Sequence, residues 1–140
     1  VAGVKALYLI DKSALARMPI AAVAERLTPI LEAGEAATCD VIDLEVLYSA
    51  RSHEEYEKIR QRRALAYHSV PIAAETLKRA LAVQGELAKS GHHRVPIPDL
   101  LIAAAAEAAG LTVLHYDRDY EVIAAVTGQP VEWVVERGSL

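Results

Sequence analysis

Five acidic residues stand where an α/β chain could put them to chemical use. The apolar run Ala6-Leu7-Tyr8-Leu9-Ile10 ends on Asp11, and the run from Leu111 to Tyr116 ends on Asp117, with Asp119 two residues later. Asp99 follows Pro98 at the start of an alanine-rich segment, and Glu45 sits among the apolar residues Leu44, Val46 and Leu47. Carboxylates are seldom buried without a partner. Gathered together they repel, raise one another's pKa values and are tolerated chiefly around cations. Donor sets made only of oxygen suit Mg2+ or Mn2+ better than zinc. A metal held by a few acids, with water left in its shell, is the equipment for phosphodiester hydrolysis.

Each acid also has an ordinary structural use. Asp11 can cap a helix starting near Ser13, and Asp117 and Asp119 can cap the helix that follows them. Asp99 is a first-turn acid favoured by the helix dipole, and Glu45 can point to solvent. The metal reading requires convergence, so the elements that carry the acids decide the matter.

Those elements alternate. Residues 5–10 read as a strand, and residues 20–32 as a helix that Pro29 should kink or break. Gly34 stops it, and residues 35–39 form a second short strand. Asp40 is expected to cap a helix over "VIDLEVLYSAR", and Ser52 the charged helix over "HEEYEKIRQRRALA". Residues 68–72 look extended before a helix over 73–89. The stretch 91–98 is a loop by composition, Pro98 and Asp99 open a helix that Gly110 stops, and 111–116 is a strand. A helix over "RDYEVIAAVT" and a strand at 131–135 complete the chain. The pattern predicts an α/β fold with a parallel sheet covered on both faces. In such a sheet the carboxyl ends of the strands share one edge, which brings Asp11 and Asp117 together.

Composition narrows the function. A chain of 140 residues, 53% hydrophobic and 24% charged, is read as one globular domain over residues 1–140. No run is long enough for a membrane span, and no secretory pattern opens the sequence. Cys39 is the only cysteine, so an internal disulfide is excluded and a reducing, cytoplasmic setting is expected. The net charge of −4 excludes a generic basic nucleic-acid binder, but not a nuclease whose acidic site is neutralised by metal. Lys12, Arg17, Arg51 and Arg118 lie beside the acids and could rim such a site. Arg60, Arg62 and Arg63 form a denser group, equally readable as an RNA track or a solvated face. No H-E-x-x-H, C-x-x-C, glycine-rich phosphate loop or nucleophile elbow is present. The histidines, Trp133 and the tyrosines read as loop or packing residues, and the apolar faces around Val41-Leu44-Leu47 and Leu77-Leu81 as core by default. A receiver-type phosphoacceptor would need paired acids after the first strand and a late lysine, and both are missing.

The segments "LYLIDKSALAR", "CDVIDLEVLYSARS", "VPIPDLLIAAAAEAAG" and "VLHYDRDYEVIA", in this order, resemble PIN-domain ribonucleases, and most closely the VapC toxins of toxin–antitoxin modules. The resemblance runs from about residue 6 to residue 135. It implies a PIN-like domain with a central parallel sheet of four to five strands and helices on both faces. It also implies Mg2+-dependent endoribonuclease activity, with Mn2+ as a substitute. Carried over by position, Asp11, Glu45, Asp99 and Asp117 are the catalytic acids. Asp11 and Asp99 are the metal pair, with Asp117, Asp119 and Glu45 as further ligands. Ser13 falls where the family has a Ser or Thr that orients the first aspartate or its water. Lys12 stands where Thr is usual, and with Arg51 and Arg118 it is expected to meet the substrate. The family's partners are RNA, a second copy in a homodimer and a VapB antitoxin. The alternative is a catalytically inactive PIN-type binding module that keeps the acids for structure or docking.

Overall fold

The structure, a computed structural model, describes residues 5–140. Residues 1–4, on which the expectation about a secretory pattern partly falls, lie outside the described residues.

The order of elements is β1 (Tyr8–Ile10), α1 (Lys12–Leu15), α2 (Ala21–Glu32), β2 (Ala36–Thr38), α3 (Asp40–Tyr48), α4 (His53–Ala66) and β3 (His68–Ser69). There follow α5 (Ala74–Ala88), α6 (Ile97–Ala109), β4 (Thr112–His115), α7 (Asp119–Thr127) and β5 (Val131–Trp133). The strands form one sheet in the order β3-β2-β1-β4-β5, and every pairing is parallel. Among the described residues, no helix is long and apolar enough to cross a membrane.

Strand alternation divides the core in two. Leu9, Ala37 and Val113 face one side, where they pack with residues of α3, α5, α6 and α7. Ile10, Ala36 and Leu114 face the other, against Ala14 of α1 and Val23, Leu27 and Ile30 of α2. Burial on both faces explains why the central strands read as continuous apolar runs. The alanine run of α6 is fully committed to the core, since Ala103 to Ala106 are all buried. Small side chains let that helix approach its neighbours closely.

Several local expectations are corrected. The strands are shorter than their apolar runs. Pro29 does not break α2, which is continuous from Ala21 to Glu32. Pro29 and Glu25, whose carbonyl loses its helical partner, are both exposed, so water can satisfy that oxygen. The N-cap of α3 is Cys39, in extended conformation, and Asp40 is the first helical residue. Ser52 does cap α4, accepting from the Glu55 amide at 3.1 Å. Gly110 closes α6 at φ 70°, a left-handed conformation that glycine adopts without strain.

The apolar faces also differ from expectation. Leu47 is buried, but Leu44 is 67% exposed, and Leu77 and Leu81 stand out from α5 while Ala80, Val83 and Leu87 carry its core contacts. Helical spacing alone does not say which of two adjacent apolar stripes faces inward.

The basic group on α4 does not form a track. Arg63 is buried, pairs with Asp43 at 2.9 Å, donates to Thr38 Oγ1 at 2.9 Å and lies over the Tyr67 ring. Arg60 pairs with Glu57 along the same helix. Arg63 thereby ties α4 to α3 and the end of β2. Arg63→Ala is expected to cost about 3 kcal/mol, because it strands Asp43 and Thr38 without their cation. A lower denaturant midpoint at unchanged slope checks this.

Candidate metal centre and active site

The parallel register sets the site. Ile10 pairs with Leu114, so Asp11 and His115 emerge side by side where β1 and β4 end. The Asp11 amide donates to the Leu114 carbonyl at 2.9 Å, holding the two strand ends together past the ladder. Two residues on, the chain turns over Asp117, whose Oδ1 accepts from the Asp119 amide at 2.9 Å, and α7 starts. Asp99 enters from the first turn of α6, where Pro98 sits at a position that needs no N–H.

Asp99, Asp117 and Asp119 each offer a carboxylate oxygen within 4.8 Å of the others. Asp11 joins them through a residue that sequence reasoning missed. The Tyr120 hydroxyl, fully buried, donates to Asp11 Oδ1 at 2.7 Å and lies 3.4 Å from Asp99 Oδ1. Its helical spacing announced only a packing residue, and nothing in the sequence marks where its hydroxyl goes. Asp11 Oδ2 accepts from the Ser13 amide at 3.0 Å. Asp11 therefore caps α1 and faces the cluster at once, so the two readings of that residue are compatible.

Glu45 approaches from α3. Burial raises its pKa first, the Asp11 charge raises it further, and Lys12 opposes both. Burial likewise raises Asp119, helped by Asp117 and opposed by Arg118. Asp99 is the extreme case. Burial, then the charges of Asp11, Asp117, Asp119 and Glu45, raise its pKa from 3.8 to about 7. Tyr120 is held well above its ordinary pKa, chiefly by burial, and so stays a donor.

Asp99 Oδ2 is buried with no hydrogen-bond partner among the described residues. A buried acceptor left unpaired among acids is a costly arrangement unless a cation meets it. The oxygen-only donor set and this orphaned atom fit a hard divalent ion, so the cluster could hold a metal.

The remaining expected residues fall as follows. Ser13 reaches Asp11 with its amide, while its hydroxyl accepts from the Tyr116 amide at 2.9 Å and ties α1 to the end of β4. Lys12 is half-buried within reach of the Glu45 charge. Arg118 is exposed next to the cluster. Arg51 is not brought in: its side chain is 88% exposed in the α3–α4 turn and pairs with Glu55. His115 is buried between the Tyr120 and Trp133 rings, and its Nδ1 accepts from the Asp117 amide at 3.1 Å. Burial lowers its pKa, so the neutral ring braces the Asp117 turn.

Tyr120→Phe removes one hydrogen bond to a charged Asp11 without changing the packing volume. The expected loss is about 1–2 kcal/mol of stability, read in urea melts.

Fold and acids together define a class: a parallel α/β domain with a carboxylate centre at the strand ends. The PIN domain family model matches residues 8–126. Ribonuclease VapC21 of Mycobacterium tuberculosis is 48% identical over 135 residues, covering 94% of this chain and 96% of that one. Ribonuclease VapC51 of the same organism is 44% identical over 133 residues, covering 95% and 96%. The DNA-bound VapBC structure from Salmonella typhimurium superimposes with a TM-score of 0.75 at 18% identity, covering 93% of this chain and 99% of that chain, a likeness of fold. The chain belongs to the PIN-domain family and, within it, to the VapC ribonucleases.

Proposed function

We propose that this chain, acting as one domain, is the toxin of a type II toxin–antitoxin pair: a Mg2+-dependent endoribonuclease neutralised by a VapB-type antitoxin. The observation that carries the reading is the cluster of Asp99, Asp117 and Asp119 with its unpartnered Asp99 Oδ2, to which Tyr120 joins Asp11 and on which the Glu45 charge acts. Relatives named ribonucleases across nearly the whole length, and solved VapBC complexes of the same fold, support it. Homodimerisation and a cytoplasmic setting belong to the same proposal.

In this mechanism Asp99, Asp117 and Asp119 would hold the ion, and Asp11 would complete the set while Tyr120 and the Ser13 amide fix its carboxylate. Mn2+ can substitute, because the donors are all hard oxygens. When bound, the ion supplies Lewis-acid chemistry, lowering the pKa of coordinated water and neutralising charge on the phosphate. Burial and the Asp11 charge raise the pKa of Glu45 and make its carboxylate more basic, suited to taking the proton of the attacking water. His115 holds the Asp117 amide in place. Lys12 and Arg118 offset the negative field that otherwise repels RNA.

The test is induced expression followed by mapping of RNA ends, wild type beside Asp99→Asn. Wild type is expected to yield discrete new ends that co-expressed antitoxin removes. The same ends in the Asp99→Asn culture would sink the mechanism.

A further inference from the structure

The molecule's cations are distributed unevenly between ion pairs and solvent. Of fifteen Lys and Arg residues, nine lie within 4.0 Å of a carboxylate. Among the described residues the six without such a partner are Lys5, Lys12, Arg17, Arg62, Arg94 and Arg118. Three of these, Lys12, Arg17 and Arg118, lie beside the acid cluster yet form no ion pair with its acids. Cations left unpaired beside a carboxylate cluster are placed for an anion that arrives from outside.

Two of the three share a groove. A concavity of about 510 Å³ is lined by Ser13, Arg17, Tyr116, Asp117, Arg118 and Trp133, and it opens beside the acid cluster through Asp117. Arg17 is held before any ligand arrives. One guanidinium nitrogen donates to the Ser13 carbonyl at 2.7 Å, and the group lies over the Tyr116 ring, 4.6 Å from its centre. Tyr116 is itself fixed, its hydroxyl accepting from the Gly138 and Leu140 amides at 3.1 and 3.3 Å and its ring meeting Trp133 edge-on. Arg137 lines the same groove but is already neutralised by Glu121, which also takes the Trp133 indole N–H. The charges available to a ligand are therefore those of Arg17 and Arg118. A stacked planar guanidinium loses little entropy on meeting a phosphate, and its remaining N–H groups suit bidentate contact.

The aromatic wall offers no open platform for a base. Trp133 is hemmed in by His115, Tyr116 and Arg137, and Arg17 covers Tyr116. The groove thus reads the sugar–phosphate backbone and not base identity. We propose that it is a subsite for a backbone phosphate of single-stranded RNA next to the one that is cut, with Arg17 and Arg118 as its guanidinium ligands. This rests on the nuclease reading above and adds where the flanking strand runs.

The experiment measures binding of a short labelled single-stranded RNA by fluorescence anisotropy across a KCl series, in an Asp99→Asn background that cannot cut it. Arg118→Gln and Arg17→Gln are each expected to raise Kd about five- to tenfold and to reduce the salt slope by about 0.7, the share of one phosphate contact on a single strand. Arg17→Lys should restore the slope but only part of the affinity. Arg62→Gln, an equally unpaired cation on α4, should change neither. Arg118 is exposed and has no ion pair among the described residues, so its substitution tests the groove even if Arg17→Gln proves unstable. Equal effects from all three Gln substitutions, or none from Arg17 and Arg118, would overturn the subsite. If wild type cleaves RNA with Mg2+ while those substitutions are silent, the subsite alone fails. If they weaken binding as expected but wild type cuts no RNA, the groove stands and the nuclease reading falls.

Discussion

Asp99→Asn is expected to melt roughly 5–10 °C higher than the parent protein in EDTA at pH 7.5, and to lose both RNA cleavage and stabilisation by Mg2+. The parent holds a buried carboxylate against four neighbouring acids, with one oxygen unpartnered. A pKa raised to about 7 means that this carboxylate is mostly ionised at pH 7.5 and that its charge works against the fold. The amide keeps the side-chain shape and removes the repulsion, a gain of about 2 kcal/mol after its own desolvation is counted, which for a domain of this size is several degrees. The same substitution removes a ligand from the centre of the cluster. Calorimetric scans with and without Mg2+ test both halves. An unchanged melting temperature in EDTA would show that the acids do not press on one another as the geometry requires.

Without metal, stability should fall as pH rises from about 4 to about 7 and level off above. The sign follows from the direction of the shift. Asp99 holds its proton more tightly in the folded chain than in the unfolded one, so between the ordinary carboxyl pKa and about 7 the folded state binds more protons. Its stabilising contribution is complete below pH 4 and is lost as the pH passes through the folded-state pKa. The loss is on the order of 3–4 kcal/mol for this group, and the upward shifts of Glu45 and Asp119 act in the same direction. Mg2+ must displace that proton, so it should raise the melting temperature strongly at pH 8 and little at pH 5. Equilibrium urea melts over pH 4–8, with and without Mg2+, measure this. Equal stabilisation by Mg2+ at both ends would mean that the ion does not compete with protons at this cluster.

What the sequence disclosed depended on how local the signal was. Asp11 and Asp117 were legible because a strand that ends on a carboxylate is a one-dimensional pattern, and parallel topology does the rest. The α/β order, the Ser52 cap and the Gly110 stop were legible for the same reason. Tyr120 was not, because the use of a hydroxyl is decided by which strand end lies across from it, over a hundred residues away in the chain. Arg63 was misjudged in company with Arg60 and Arg62, since a run of arginines reads as one surface until the fold buries one of them against Asp43. Leu44 and Leu81 followed helical periodicity yet face outward, because periodicity defines a stripe and not the neighbour that covers it. Arg51 lay close to Glu45 in sequence, but its side chain turns to solvent and pairs with Glu55.

The margins of the sheet carry a consequence for how copies of this chain can meet. β3 spans only two residues and is followed by Pro71, while β5 spans three and is preceded by Pro130. Proline and brevity leave few backbone donors for another molecule to zip onto. The apolar strands most prone to such pairing, β1 and β4, lie inside, each flanked on both sides. Self-association by cross-molecular strand addition is therefore blunted, which leaves helical surfaces and their side chains for any contact between copies.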